Sequence, residues 1–129
     1  MGQIKVYGCK NQLNQKKAVM SSVIHAFMVE AFSFPEDKKF HRFFPMKQDD
    51  FHYPSDRTEA YTIIEISLFE GRSMQAKKDL IRLLLHRLQQ EPDLAHEDIE
   101  TTIFETPKSN CGIRGLPGDE LALNYNVNM

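Results

Sequence analysis

The sequence predicts an α/β domain of the α+β sandwich kind: two β-α-β units, one four-stranded sheet, and both helices on a single face. Three observations carry this. The chain has 129 residues, enough for one domain with one sizeable core. Two stretches with helical spacing of apolar residues alternate with four short stretches rich in β-formers. The two halves also lie over each other in order and phase.

The first unit spans about residues 1–46. Ile4 to Tyr7 reads as a short strand with Gly8 ending it. From about Asn14 to Phe32, Val19, Met20, Val23, Ile24, Phe27, Met28 and Ala31 recur at three- and four-residue steps. That spacing predicts a helix with Asn14 as its N-cap and Pro35 just past its end. Phe40 to Pro45 is predicted extended, and residues 47–60, with Pro54 and several aspartates, form a loop.

The second unit spans about 61–105. Tyr61 to Phe69 is the strongest predicted strand, since Thr62, Ile63, Ile64 and Ile66 are β-branched and stiff. Glu65 and Ser67 make one of its faces partly polar. Gly71 turns the chain and Ser73 caps a second helix running to about Gln90, with Leu80, Ile81, Leu84, Leu85 and Leu88 as its buried stripe. Ile99 to Glu105 is a fourth strand, and 106–129 is a glycine-bearing loop and a short tail, extended in part.

An offset of 61, which carries Lys16 onto Lys77, also pairs Val19 with Leu80, Val23 with Leu84 and Phe27 with Leu88. A helix joining two strands of one sheet favours parallel pairing inside each unit. Both helices on one face leave the other face open. A half-apolar face bearing Tyr61 and Ile63 then calls for a partner, so self-association is expected.

Composition removes several function classes. A formal net charge of -2 gives no electrostatic reason to expect nucleic acid or an anionic membrane. Phe40, Phe43, Phe44 and Phe51 stand near Lys38, Lys39, Arg42 and Lys47, but Asp49 and Asp50 favour core or interface packing over base stacking. No apolar run reaches the ~20 residues of a membrane span. The opening residues carry no signal peptide, and Val6 breaks the myristoylation pattern, so a cytoplasmic location is expected. Cys9 and Cys111 fit no ligand spacing and are expected to be two unrelated thiols. His41 and His52 could meet in space, but the five histidines show no metal-binding spacing, so neither a metal nor another cofactor is expected.

Four side chains stand out as binding candidates. Arg72 follows the strongest strand and precedes a helix start, where anions are favoured. Tyr53 and Arg57 share a loop with Asp56, and Arg114 sits between Gly112 and Gly115. The alternatives for these are a surface ion pair for Arg57 and Arg72 and a turn position for Arg114.

Several segments together resemble the tautomerase superfamily, most of all its malonate semialdehyde decarboxylase branch. They are Val29-Glu30-Ala31-Phe32 through Pro35, Ile63 to Lys78 with Gly71-Arg72-Ser73 inside, Asp98 to Glu105, and the Gly112-Ile113-Arg114-Gly115 turn. The resemblance covers nearly the whole chain. It implies a homotrimer with sites between subunits near each N-terminus, an N-terminal proline whose amine moves protons, and arginines that hold a substrate carboxylate. Arg72 matches one of the two arginines of that branch, whereas Glu70 stands at the other and Gly2 stands where the proline would be. Family members often have a Trp near Cys111, and Lys38, beside Asp37, falls about where the branch has an acidic residue.

A glycine amine has a pKa of about 7.7–8.0 and can exchange protons or form a Schiff base. With Met1 in place, however, Gly2 is an amide and has no such amine. The expected function is therefore isomerase-like action on a small keto or enol carboxylate, with Arg72 as anchor and Gly2 catalytic only once Met1 is removed. The alternative is a non-catalytic homotrimer that binds a metabolite or a protein.

Overall fold

The computed structural model describes residues 2–121, so the expected extended tail from residue 122 onward lies outside the described residues. Strand β1 (Gly2–Cys9) runs directly into helix α1 (Lys10–Phe32), which returns to β2 (Phe40–Met46). After a loop containing a single 3-10 turn, β3 (Thr62–Phe69), α2 (Met74–Gln90) and β4 (Ile99–Thr106) repeat the pattern. A small hairpin of β5 (Gly112–Ile113) and β6 (Leu116–Pro117) follows.

The strand order is β2-β1-β3-β4. Pairing is parallel inside each unit, β1 with β2 and β3 with β4, as the sequence predicts. The units join antiparallel through β1 and β3, with Gly2 opposite Leu68 and Gly8 opposite Thr62. Each unit therefore delivers the start of its first strand to the end of the other unit's first strand.

One core holds both helices. Ile4, Val6, Ile64, Ile66 and Leu68 point to the same side as Met20, Ile24 and Met28 of α1 and Leu84 and Leu88 of α2. The opposite side carries Tyr7, Phe40, Arg42, Phe44, Ile63, Glu65 and Phe104 by the alternation of the strands. There the rings of Tyr7 and Phe44 stack with centroids 4.8 Å apart, and Phe40, Phe44 and Phe104 are exposed. The open face anticipated from Ile63 is thus real and more aromatic than the sequence suggests.

Three expectations need adjustment. Helix α1 begins at Lys10, not Asn14, and its N-cap is Cys9, whose side chain makes no capping bond. Asn14 lies inside the helix and accepts a bond from Lys17 Nζ at 3.2 Å. Gly8 does not end β1 but pairs within it, with Pro45 and Thr62.

The repeat offset is 60, the separation of Gly2 from Thr62, and not 61. That value carries β1 onto β3, Phe40 onto Glu100 and the 3-10 turn Gln48–Asp50 onto Lys108–Asn110. It also pairs the buried residues Ile24 with Leu84 and Met28 with Leu88. The two helix exits are alike in part, although α1 passes straight into Ser33 and α2 leaves through an extended Glu91 and Pro92. Ser33 and Asp93 both adopt positive φ, and Phe34 and Leu94 donate their N–H groups back to Met28 O and Leu88 O. Both bonds reach back six residues, one more than in a Schellman end, and Phe34 and Leu94 are both buried at these exits.

Candidate functional site

The antiparallel junction sets Gly2 beside the end of β3, and the chain then turns at Gly71, with φ 142°, into Arg72. Two phenylalanines link these points. Phe34, pulled inward by the helix exit, lies against Gly2, and its ring is 5.8 Å from that of Phe32. The guanidinium carbon of Arg72 sits 4.6 Å from the centre of the Phe32 ring, a cation–π distance. Arg72 is only 6% exposed and donates from Nη1 to Phe69 O at 3.5 Å. Gly2, Phe34, Phe32 and Arg72 therefore form one contiguous cluster at one end of the sheet.

The space beside Gly2 is already taken. A Cβ added there would fall 2.6 Å from Phe34 Cζ and 3.0 Å from Cδ2, and would overlap Cε2. No side chain fits without moving a ring that is 7% exposed. Glu70, which follows β3, is exposed, and its N–H donates to Thr106 O at 3.0 Å. Lys38 is exposed as well, and its N–H donates to Pro35 O at 3.0 Å in the turn after α1.

Tyr53 and Arg57 lie at the other end of the sheet. Tyr53 packs on Phe51 and Tyr61 with ring centroids 6.0 and 5.7 Å away, and its hydroxyl hydrogen-bonds with the Cys9 thiol. Burial, with Cys9 adding to it, raises the Tyr53 pKa, and burial raises that of Cys9, so both stay protonated near neutrality. Arg57 is clamped by Asp56 at 2.6 Å and Glu100 at 2.7 Å, over the ring of Tyr61. Tyr61 in turn donates to Glu100 at 2.6 Å, and its pKa rises to about 12, through burial first and that bond second. The two partners, Tyr61 foremost, hold the Glu100 carboxyl below its usual range. This cluster sets one guanidinium against two carboxylates, with Arg57 committed to carboxylates of its own chain.

A cavity of about 250 Å³ lies at that same end, lined by Cys9, Lys10, Asn11, Gln12, Met46, Lys47, Gln48 and Glu59. It is remote from Arg72 along the sheet, since Cys9 ends β1 where Gly2 begins it. Arg114 takes positive φ, 52°, and with Gly115 at φ 82° makes the two-residue turn of the β5–β6 hairpin. That pair of angles fits a type I′ turn, so Arg114 is an exposed turn residue. The hairpin's base lies near the Arg72 end, because a Cβ on Gly118 would meet the Phe69 ring at 3.4 Å.

The five sequence candidates are thus divided. Gly2 and Arg72 come together, Tyr53 and Arg57 share the opposite end, and Arg114 caps the hairpin. Sequence reasoning passed over Phe34 and Glu100. Phe34 could have been found from its place two residues after the helix end, where an inward apolar side chain is usual. Nothing local marks Glu100, whose partners are distant in the chain. His41 does not meet His52; it meets Ser21 at 2.9 Å and the ring of His25 at 6.0 Å. Cys9 and Cys111 are not joined in a disulfide. No helix among the described residues is long and apolar enough to cross a membrane.

The architecture is shared with solved structures. Native fused 4-OT matches with a TM-score of 0.80 at 16% identity, over 92% of this chain and 98% of that one. Malonate semialdehyde decarboxylase matches with a TM-score of 0.76 at 16% identity, over 89% and 93%. N1, a member of the cis-3-chloroacrylic acid dehalogenase family, matches with a TM-score of 0.76 at 18% identity, over 92% and 87%. Similarity at this level establishes the fold. The family model described as tautomerase enzyme matches residues 38–114, well over half of the chain, and on that match the protein belongs to the tautomerase family.

Proposed function

We infer that the chain forms a homotrimer and catalyses proton transfer on a small keto or enol carboxylate at the end of the sheet that holds Gly2 and Arg72. The observation that carries this reading is the Gly2–Phe34–Phe32–Arg72 cluster, which brings the chain start and one guanidinium together on an apolar floor. A guanidinium suits a carboxylate bidentately. The base is the Gly2 amine, available once Met1 is removed, and the apolar wall of Phe34 disfavours its charged form. In the keto-to-enol direction the proton leaves the carbon next to the carbonyl for that amine and a proton is returned to the carbonyl oxygen; ketonisation runs in reverse, from the enol hydroxyl to that carbon. The trimer is supported by the fused 4-OT structures described as symmetric and asymmetric trimers, and by the exposed phenylalanines of the open sheet face.

A non-catalytic trimer is the second reading, favoured by one observation: the Phe34 ring fills the space beside Gly2. Ketonisation of the enol of phenylpyruvate, measured with intact mass of the same preparation, separates the two. Protein lacking Met1 should turn over, protein retaining it should not, and Arg72→Ala should lower kcat/KM about 10- to 100-fold, the worth of a charged hydrogen bond. Equal rates in wild type and Arg72→Ala would remove Arg72 from the mechanism. No turnover by a trimer with a free Gly2 would leave the binding protein as the reading.

A further inference from the structure

The repeat of 60 residues holds to the last described residue. Asp50 and Asn110 donate their N–H groups to Lys47 O and Pro107 O, and Phe51 and Cys111 donate theirs to Gln48 O and Lys108 O. Tyr61 and Leu121 then donate to Thr58 O and Gly118 O, so the same turn precedes positions 62 and 122. In the first unit that turn leads into β3, Thr62–Phe69. At the same offset, residues 122–129, which lie outside the described residues, correspond to β3. They read Ala-Leu-Asn-Tyr-Asn-Val-Asn-Met, with Leu123, Tyr125, Val127 and Met129 alternating with asparagines. A period of two is the pattern of a strand with one apolar face.

The equivalent place in the sheet is already filled. After its turn, β3 pairs with β1 on the side away from β2. The corresponding place for 122–129, beside β3 and away from β4, belongs to β1. The two edges, β2 and β4, remain. On the open face β2 exposes Phe40 and Phe44, whereas β4 exposes Glu100 and Thr102 beside Phe104, so the apolar row suits β2. The chain's own β2 lies too far away. Gly118, just before Leu121, donates to Cys111 O at 2.7 Å, which holds this part of the chain beyond the end of β4. From β4 to β2 is three strand spacings, about 14 Å, and crossing them takes roughly four residues of extended chain.

We propose that residues 122–129 add as a strand to the free edge of β2 in a second copy of this chain, with Leu123, Tyr125 and Val127 on the side of Phe40 and Phe44. The proposal rests on the homotrimer inferred above, in which each copy's strand passes to the next and closes the ring. It also covers an edge that otherwise presents unpaired backbone groups beside exposed phenylalanines.

Sedimentation and hydrogen exchange test this, on the full chain and on a chain stopped after Leu121. The full chain should sediment as a trimer. The amides of Phe40–Met46 should exchange about tenfold or more faster once residues 122–129 are removed, with Ile99–Thr106 little changed. A synthetic peptide of residues 121–129 should slow them again. If the shortened chain does not fold, Tyr125→Asp with Val127→Asp in the full chain should quicken β2 in the same way. A trimer whose β2 exchange ignores these changes overturns the added strand and leaves the trimer standing. Quickening at β4 instead, or protection of β2 that persists on dilution to monomer, means pairing within one copy and overturns the proposal as well. A full chain that is monomeric at micromolar concentration withdraws the trimer and the added strand together.

Discussion

His41 shows how one side chain ties acidity to the fold. It sits between α1 and β2, bonded to Ser21, with His25 edge-on to its ring. Burial first, then Lys39 and His25, lowers its pKa from 6.5 to about 4. Between those two values the unfolded chain binds a proton that the folded chain refuses. Stability attributable to this group is therefore complete above pH 6.5 and declines as pH falls toward 4. Urea melts across that interval should show a loss of stability that His41→Gln reduces. A slope unaltered by the substitution would show that other groups set the acid limit. Gly118 is a steric counterpart: a Cβ there would stand 2.5 Å from Lys108 O, so the hairpin closes only on glycine.

Among elements, the loop of residues 51–61 is fastened by one carboxylate. Asp98, 3% exposed, accepts from Thr58 N at 2.8 Å and from Thr58 Oγ1 at 2.5 Å. The same loop is tied to β4 by Arg57 and Tyr61 on Glu100. Removing Asp98 deletes two hydrogen bonds to a charged acceptor, so Asp98→Ala should cost about 1.5–3 kcal/mol in chemical denaturation. Hydrogen exchange of residues 51–61 should quicken more than that of α1, and a uniform change across the chain would argue against a local fastening. Helix α2 was legible in the sequence because Ser73 caps it visibly, its hydroxyl accepting from Ala76 N at 3.1 Å. The start of α1 was not, since Cys9 offers no side-chain bond and Asn14 resembles a cap while lying inside the helix.

For the whole molecule, the open sheet face is the surface on which the proposed trimer rests. Phe40, Phe44 and Phe104 are 47, 38 and 50% exposed on the side away from both helices. Lys5 and Arg42 stand on the β1–β2 half of that face, and Glu65 and Glu100 on the β3–β4 half. Burying such side chains is worth about 1.5–3 kcal/mol each when complete. Under the proposed trimer, Phe44→Asp with Phe104→Asp should shift sedimentation from trimer to monomer at micromolar concentration. A species of unchanged size would place the contact elsewhere.

The sequence alone determined the four main strands, the two helices, the duplication and the open face, because these follow from apolar spacing and β-branched runs that act over a few residues. It set the repeat offset one residue too long, since identical Lys-Lys pairs lie on solvent faces where phase is weakly constrained. It also identified Arg72, by its place between the strongest strand and a helix start and by resemblance, and Gly2 by resemblance alone. Only the tertiary structure decided that these two share an end of the sheet while Tyr53 and Arg57 occupy the other, and that Phe34 fills the space beside Gly2. Those facts depend on strand direction at the β1–β3 junction and on ring packing between distant parts of the chain. Close packing of that kind leaves no periodic trace in a sequence.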